Sequence, residues 1–137
     1  MKKIALLMDG WKRYFTFAWP AGLLQRFHET KEQVTLYIFN SSGNWSRDQK
    51  YNQGEYNIFQ LPDLGEFDGI ILDLTNVEME SVIEEVVEKA EHSGVPVISI
   101  GKELSDFYYV GLNNKSAIAG MVEHLAVEHN CRTFWFI

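Results

Sequence analysis

Short apolar runs alternate along this chain with longer stretches in which apolar residues return every three or four positions. Ile4–Met8, Val34–Phe39, Gly69–Leu74 and Val95–Ile100 are largely apolar and bounded by polar residues. Strands buried on both faces of a parallel sheet read this way. Phe107–Leu112 predicts a short fifth strand, and the apolar Thr133–Ile137 predicts a strand at the end of the chain. Between the first two strands, Leu23, Leu24 and Phe27 keep helical spacing within roughly residues 14–29. Pro20 lies inside that stretch, so the helix either starts there, with proline in its first turn, or kinks there.

The clearest helix follows the third strand. Thr75-Asn-Val-Glu78 matches a capping box, after which Met79, Val82, Ile83, Val86, Val87 and Ala90 recur on one face. Gly94 stops this helix and Pro96 follows. Asn113 or Asn114 caps another helix, running to about Glu128, with Ile118, Met121, Val122 and Leu125 expected inward and Asn130 at its end. Asn40–Tyr56 is polar and predicts a long loop holding at most one short helix. Strands separated by helices imply right-handed crossovers and a doubly wound α/β domain with a parallel sheet, three layers in αβα order. A buried final strand usually has a neighbour beyond it, so residues 1–137 are expected to be a single lobe truncated from a two-lobed protein.

Composition narrows the classes of function. A length of 137 residues suits one domain, and 46% hydrophobic content supports a packed core. The net charge of −7, with scattered basic residues, argues against direct nucleic-acid contact. Cys131 is the single cysteine, so no internal disulfide forms, as in a reducing compartment. The apolar run at the amino terminus is short and ends at Asp9, unlike a signal peptide, and no stretch approaches the length of a membrane span. A cytoplasmic protein without membrane contact is expected.

In open α/β sheets the ligand sits beyond the carboxyl ends of the strands. The sequence places Asp9, Gly10 and Trp11 there after the first strand, Asn40–Gly43 after the second, and Asp73 at the end of the third. Gly101 and Lys102 follow the fourth strand, and Asn113 the fifth. Trp11, Tyr14, Phe15, Phe17 and Trp19 crowd into one segment. They form either a stacking wall for a sugar or flat heterocycle or a helix whose rings pack on the sheet, with Trp11 and Tyr14 nearest the crevice. No glycine-rich phosphate loop and no nucleophile elbow occurs. His28, His92, His124 and His129 read as surface or boundary residues, and Glu84, Glu85, Glu88 and Glu91 as a solvated helix face. No catalytic residue, metal ligand or cofactor is assigned, and the chain is not expected to be an enzyme.

Several segments together resemble a known family. They are Ile4–Asp9, Phe67-Asp-Gly-Ile-Ile71, Gly94-Val-Pro-Val-Ile-Ser-Ile-Gly101, Tyr109-Val-Gly-Leu-Asn-Asn114 and Ala119-Gly-Met-Val-Glu-His-Leu125. In this order they are similar to the amino-terminal lobe of periplasmic-binding-protein-like sensor domains, the effector-binding domains of the lac and galactose repressor family. The resemblance implies a flavodoxin-like, type I periplasmic-binding-protein lobe of a bacterial transcriptional or signalling regulator. It implies an effector such as a sugar or purine clamped between this lobe and a second one, with closure shifting a hinge equilibrium. The family's ligand contacts fall on the Asp9–Tyr14 loop (Asp9, Gly10, Trp11, Tyr14), on Asp73 and on Asn113. The family usually has Asp where Asn113 stands and Gly-His near Asn130–Cys131. Related sensors without a DNA-binding headpiece precede outputs such as diguanylate cyclases, and lobes of this kind often pair through flanking helices, which admits a homodimer.

Phe67–Met79 also resembles the phosphorylation strand of response-regulator receiver domains. Asp73 would then be the phosphoacceptor, Asp9 a magnesium ligand, Ser99 the switch hydroxyl and Lys102 the cationic partner. Receivers need two adjacent carboxylates after the first strand, whereas Met8 and Gly10 flank Asp9. The insertion spanning residues 40–64 and the absence of a Lys-Pro step also depart from that family.

Overall fold

Parallel pairing orders the whole sheet. The computed structural model describes residues 1–10, 13–43 and 46–135, with the side chains of residues 13–17 outside that description. The strands are β1 (Lys2–Asp9), β2 (Val34–Ser41), β3 (Gly69–Asp73), β4 (Val97–Ile100) and β5 (Tyr108–Val110). The helices are α1 (Arg13–Glu29), α2 (Gln49–Tyr56), α3 (Glu80–Glu91) and α4 (Asn114–Glu128), with short 3-10 turns at Asn57–Gln60 and Leu64–Glu66. Every strand pair is parallel, in the order β2-β1-β3-β4-β5. The fold is therefore flavodoxin-like α/β, as expected, and the strand order reverses between β1 and β3.

Alternation along the strands divides the core between two faces. Ala5, Leu7, Ile70, Leu72 and Val97 meet Phe59, Leu64, Val82, Ile83, Val86 and Ala90 on the α2–α3 side. Leu6, Met8 and Ile71 meet Trp19 and Leu23 of α1 on the other. The continuous apolar runs of β1 and β3 reflect this burial from both sides. Glu84, Glu85, Glu88 and Glu91 occupy the exposed face of α3, as their spacing predicts. α1 begins at Arg13, ahead of Pro20, and continues past it. The amide that proline cannot donate is tolerated in a segment anchored by Trp19 and Leu23.

Three expectations need correction. The capping box does not form: α3 starts at Glu80 with Met79 as its N-cap, which makes no side-chain bond. Residues 74–77 form a turn closed by Val77 N–H to the Leu74 carbonyl at 3.1 Å, and Thr75 is engaged at the strand ends instead. The second concerns α4. Asn113 does cap it, its Oδ1 accepting from Ser116 N at 3.0 Å. Its apolar stripe is not inward, however: Ile118 is 43% and Met121 53% exposed, and no residue of α4 is buried. Apolar residues at helical spacing predict a helix, but in α4 they are spread around the axis, and burial needs a surface to cover them. Ile98, Tyr108 and Val110, in register on one face of β4–β5, are exposed as well.

The third is the terminal strand. Residues 133–135 belong to no strand and Trp135 is 86% exposed, while residues 136–137 lie outside the described residues. A strand exists through its ladder, and no described strand pairs with this segment. Cys131, just before this segment, is half-buried. Among the described residues no helix is long and apolar enough to cross a membrane.

Candidate functional site

Asp9 ends β1 opposite Ser41 and is 2% exposed. The Gly10 amide donates to the Ser41 carbonyl at 3.0 Å, so the backbone ladder holds the carboxyl end of β1 against β2. The Tyr56 hydroxyl donates to Asp9 Oδ2 at 3.3 Å, and Asn76 Nδ2 donates to the Asp9 carbonyl at 3.1 Å. Asp9 Oδ1 is buried without a hydrogen-bond partner. Burial pushes the Asp9 carboxyl up to about 6, opposed by the Tyr56 and Ser41 hydroxyls and reinforced by the Glu78 and Glu55 carboxylates. Tyr56 is itself pushed up to about 12, first by burial and then by the Asp9 charge.

Tyr56 comes from the polar stretch whose hydrophobic pattern was least informative. Asp48 caps α2, its Oδ1 accepting from Lys50 N at 2.9 Å, and the helix delivers Tyr56 at its last position. The ring stacks on Phe59 at 6.0 Å between centroids, and its other surroundings include Gly43. A Cβ at Gly43 would fall inside the Tyr56 ring, so glycine lets the loop after β2 close over it.

Asp73, half-buried at the end of β3, lies on the α1 side of the same rim. Its Oδ2 accepts from Trp19 Nε1 at 3.0 Å and its Oδ1 from Thr75 Oγ1 at 3.0 Å. Thr75 Oγ1 also lies 3.2 Å from the Ile100 carbonyl, so one hydroxyl proton is shared between two acceptors across the β3 and β4 ends. Gly101 has φ +76°, and a Cβ there would approach Thr75 Oγ1 to 2.6 Å. Glycine is required on both counts.

The structure brings Asp9, Gly10 and Asp73 to the adjoining ends of β1 and β3, where Met8 pairs with Asp73. Asn113 stands apart, after the edge strand β5, with its side chain engaged as a helix cap. Trp11 and the Tyr14 side chain lie outside the described residues. Lys102 pairs with Glu80 at 3.5 Å, and buried Ser99 donates to the Tyr108 carbonyl at 3.4 Å. Tyr56, Thr75 and Asn76 were not singled out as site residues by sequence reasoning. Thr75 and the turn after β3 were assigned to helix capping, and Tyr56 carries no local signal beyond being the aromatic residue that ends a polar stretch. Among the described residues no group of three or more His, Cys, Asp or Glu side chains could hold a metal ion. Chemically, this rim can accept hydrogen bonds and place negative charge against a bound molecule. No protein-family model and no curated protein matches the chain.

Proposed function

We propose that the chain is the effector-sensing lobe of a bacterial transcriptional or signalling regulator, binding a small molecule at the carboxyl ends of β1 and β3 against a second lobe. The observation that carries this reading is Asp9, with one carboxylate oxygen buried and unpartnered at the switch in strand order. An acceptor left without a donor costs about 1–3 kcal/mol, and such a cost is tolerated where a ligand supplies the missing bond. The resemblance to periplasmic-binding-protein-like sensors supports the same position and implies no catalysis, a cytoplasmic setting and a hinge that reports closure. With only half of the contacts in this lobe, the chain alone is expected to bind at millimolar strength. Amide NMR during titration with millimolar sugars, purines and amines should move the signals of Asp9, Gly10, Ser41 and Asn76. No movement with any of them would remove the ligand-site reading, and tight stoichiometric uptake in calorimetry would remove the need for a second lobe.

The receiver reading retains one specific support, Asp73 at the end of β3 in a sheet of order β2-β1-β3-β4-β5, which receivers share. Against it, both Asp73 oxygens already accept hydrogen bonds and Lys102 is turned to Glu80. Incubation with acetyl phosphate and magnesium decides: phosphoryl uptake abolished by Asp73→Asn would put the receiver first.

A further inference from the structure

We propose that the free edge of β2 pairs antiparallel with β2 of a second copy, about a two-fold axis at Tyr37, joining the two sheets into one. This is independent of the ligand-site reading above and concerns a different surface.

The two edges of the sheet differ. β5, at one end, is Tyr108–Val110, only three residues long. β2, at the other, runs for eight residues, VTLYIFNS, without a charge or a proline. Sheet edges are normally protected by being short or by carrying lysine or proline. β5 has the first protection and β2 has none of them. Tyr37 and Ile38, at its middle, are 41% and 40% exposed and face opposite sides of the sheet.

The ladder with β1 fixes which main-chain groups of β2 are free. The Lys2 amide donates to the Gln33 carbonyl at 2.8 Å and the Gly10 amide to the Ser41 carbonyl at 3.0 Å. The register between them is unbroken, so odd-numbered residues of β2 turn their N–H and C=O groups towards β1. Val34, Leu36, Ile38 and Asn40 turn theirs outward. Among the described residues no main-chain hydrogen bond reaches these outward groups.

Self-complementarity selects the occupant. Antiparallel pairing centred on Tyr37 sets Leu36 opposite Ile38, and Val34 opposite Asn40, of the second copy. Every outward N–H and C=O of the strand then has a partner. Centring on Ile38 instead would set Val34 opposite Ser42, beyond the end of β2. Charge agrees with the antiparallel sense: Lys31 and Glu32, just ahead of β2, meet the neutral Gly43 and Ser42, whereas a parallel pair would set them beside their own copies. On the face where Tyr37 packs edge-on against Phe67, Tyr37 meets itself in a non-hydrogen-bonded pair, where side chains lie closest. On the α1 face, Leu36 and Ile38 cover one another.

Amide hydrogen exchange read by NMR at micromolar and millimolar concentration tests the unaltered protein. The Leu36 and Ile38 amides should exchange quickly when dilute and about tenfold more slowly when concentrated, whereas Tyr37 and Phe39, already paired with β1, should be slow in both. Sedimentation equilibrium over the same range should show a monomer–dimer equilibrium. Tyr37→Lys and Tyr37→Glu each set like charges against each other at the axis, so each alone should stay monomeric. Their equimolar mixture should form a dimer again, because this register brings position 37 against itself. A monomer at millimolar concentration with no slowing at Leu36 and Ile38 would overturn the inference and leave the edge to an extended peptide of another protein. A dimer that persists in both variants would overturn it by placing the contact elsewhere, such as on the exposed face of α4. Folded variants that stay monomeric when mixed would overturn it by breaking the pairing at Tyr37. Should either variant fail to fold, the concentration dependence of the Leu36 and Ile38 amides decides alone.

Discussion

A carboxyl buried at the end of β1 and titrating at about 6, against an ordinary 3.8, links folding to pH at one residue. The native state keeps its proton to higher pH than the unfolded chain does. Between about pH 4 and 6 the native state therefore binds more protons, and stability falls as pH rises through that window, then levels off. The difference corresponds to about 3 kcal/mol. Asp9→Asn should match the parent protein near pH 4 and exceed it by up to about 3 kcal/mol near pH 7.5, as urea unfolding at the two values would show. Equal stability of the parent at both values would mean that Asp9 is solvated. Tyr56→Phe removes the donor to Oδ2 and should cost about 1 kcal/mol while moving the Asp9 titration still higher, which the carboxyl carbon signal reports. Asp9 was legible as a candidate because it ends an apolar run. Its partners were not: Tyr56 is 47 residues away and Asn76 is 67, and no local pattern encodes contacts at that separation.

Among the helices, α3 gathers its apolar residues on one face while those of α4 are spread around it, and the two behave differently. Both carry apolar residues at helical spacing, and both lie close to where that spacing puts them. α3 buries Val82, Ile83, Val86 and Ala90 against the sheet, whereas α4 buries nothing. Ile83→Ala should therefore cost about 2–5 kcal/mol. Ile118→Ser and Met121→Ser should each change stability by no more than about 0.5 kcal/mol, since surface positions tolerate substitution. Comparable losses in both helices by denaturant unfolding would show that α4 is packed in solution. The start of α3 illustrates a related limit. Thr75 and Glu78 have the spacing of a capping box, yet the Thr75 hydroxyl finds Asp73 and the Ile100 carbonyl, acceptors that only the assembled sheet places within reach.

Across the molecule, order should follow enclosure. β1 and β3 lie at the centre of the sheet with helices on both faces, and Ala5–Met8 and Ile70–Leu72 are buried. β5 is an exposed edge and α4 has no buried residue. Native-state hydrogen exchange should be slowest at the amides of β1 and β3 and fastest in β5 and α4, because local opening is cheapest where few apolar contacts are lost. Slow exchange throughout α4 would contradict its exposure. The apolar runs and helical repeats were sufficient to read the α/β class, the five internal strands and the helices flanking them. Hydrophobic period is a local property of the chain, set by side-chain geometry in strands and helices. The terminal strand, the outward face of α4 and the partners of Asp9 and Asp73 were beyond that reach. Pairing, cover and hydrogen-bond partners belong to two segments at once, and only the tertiary structure brings those segments together.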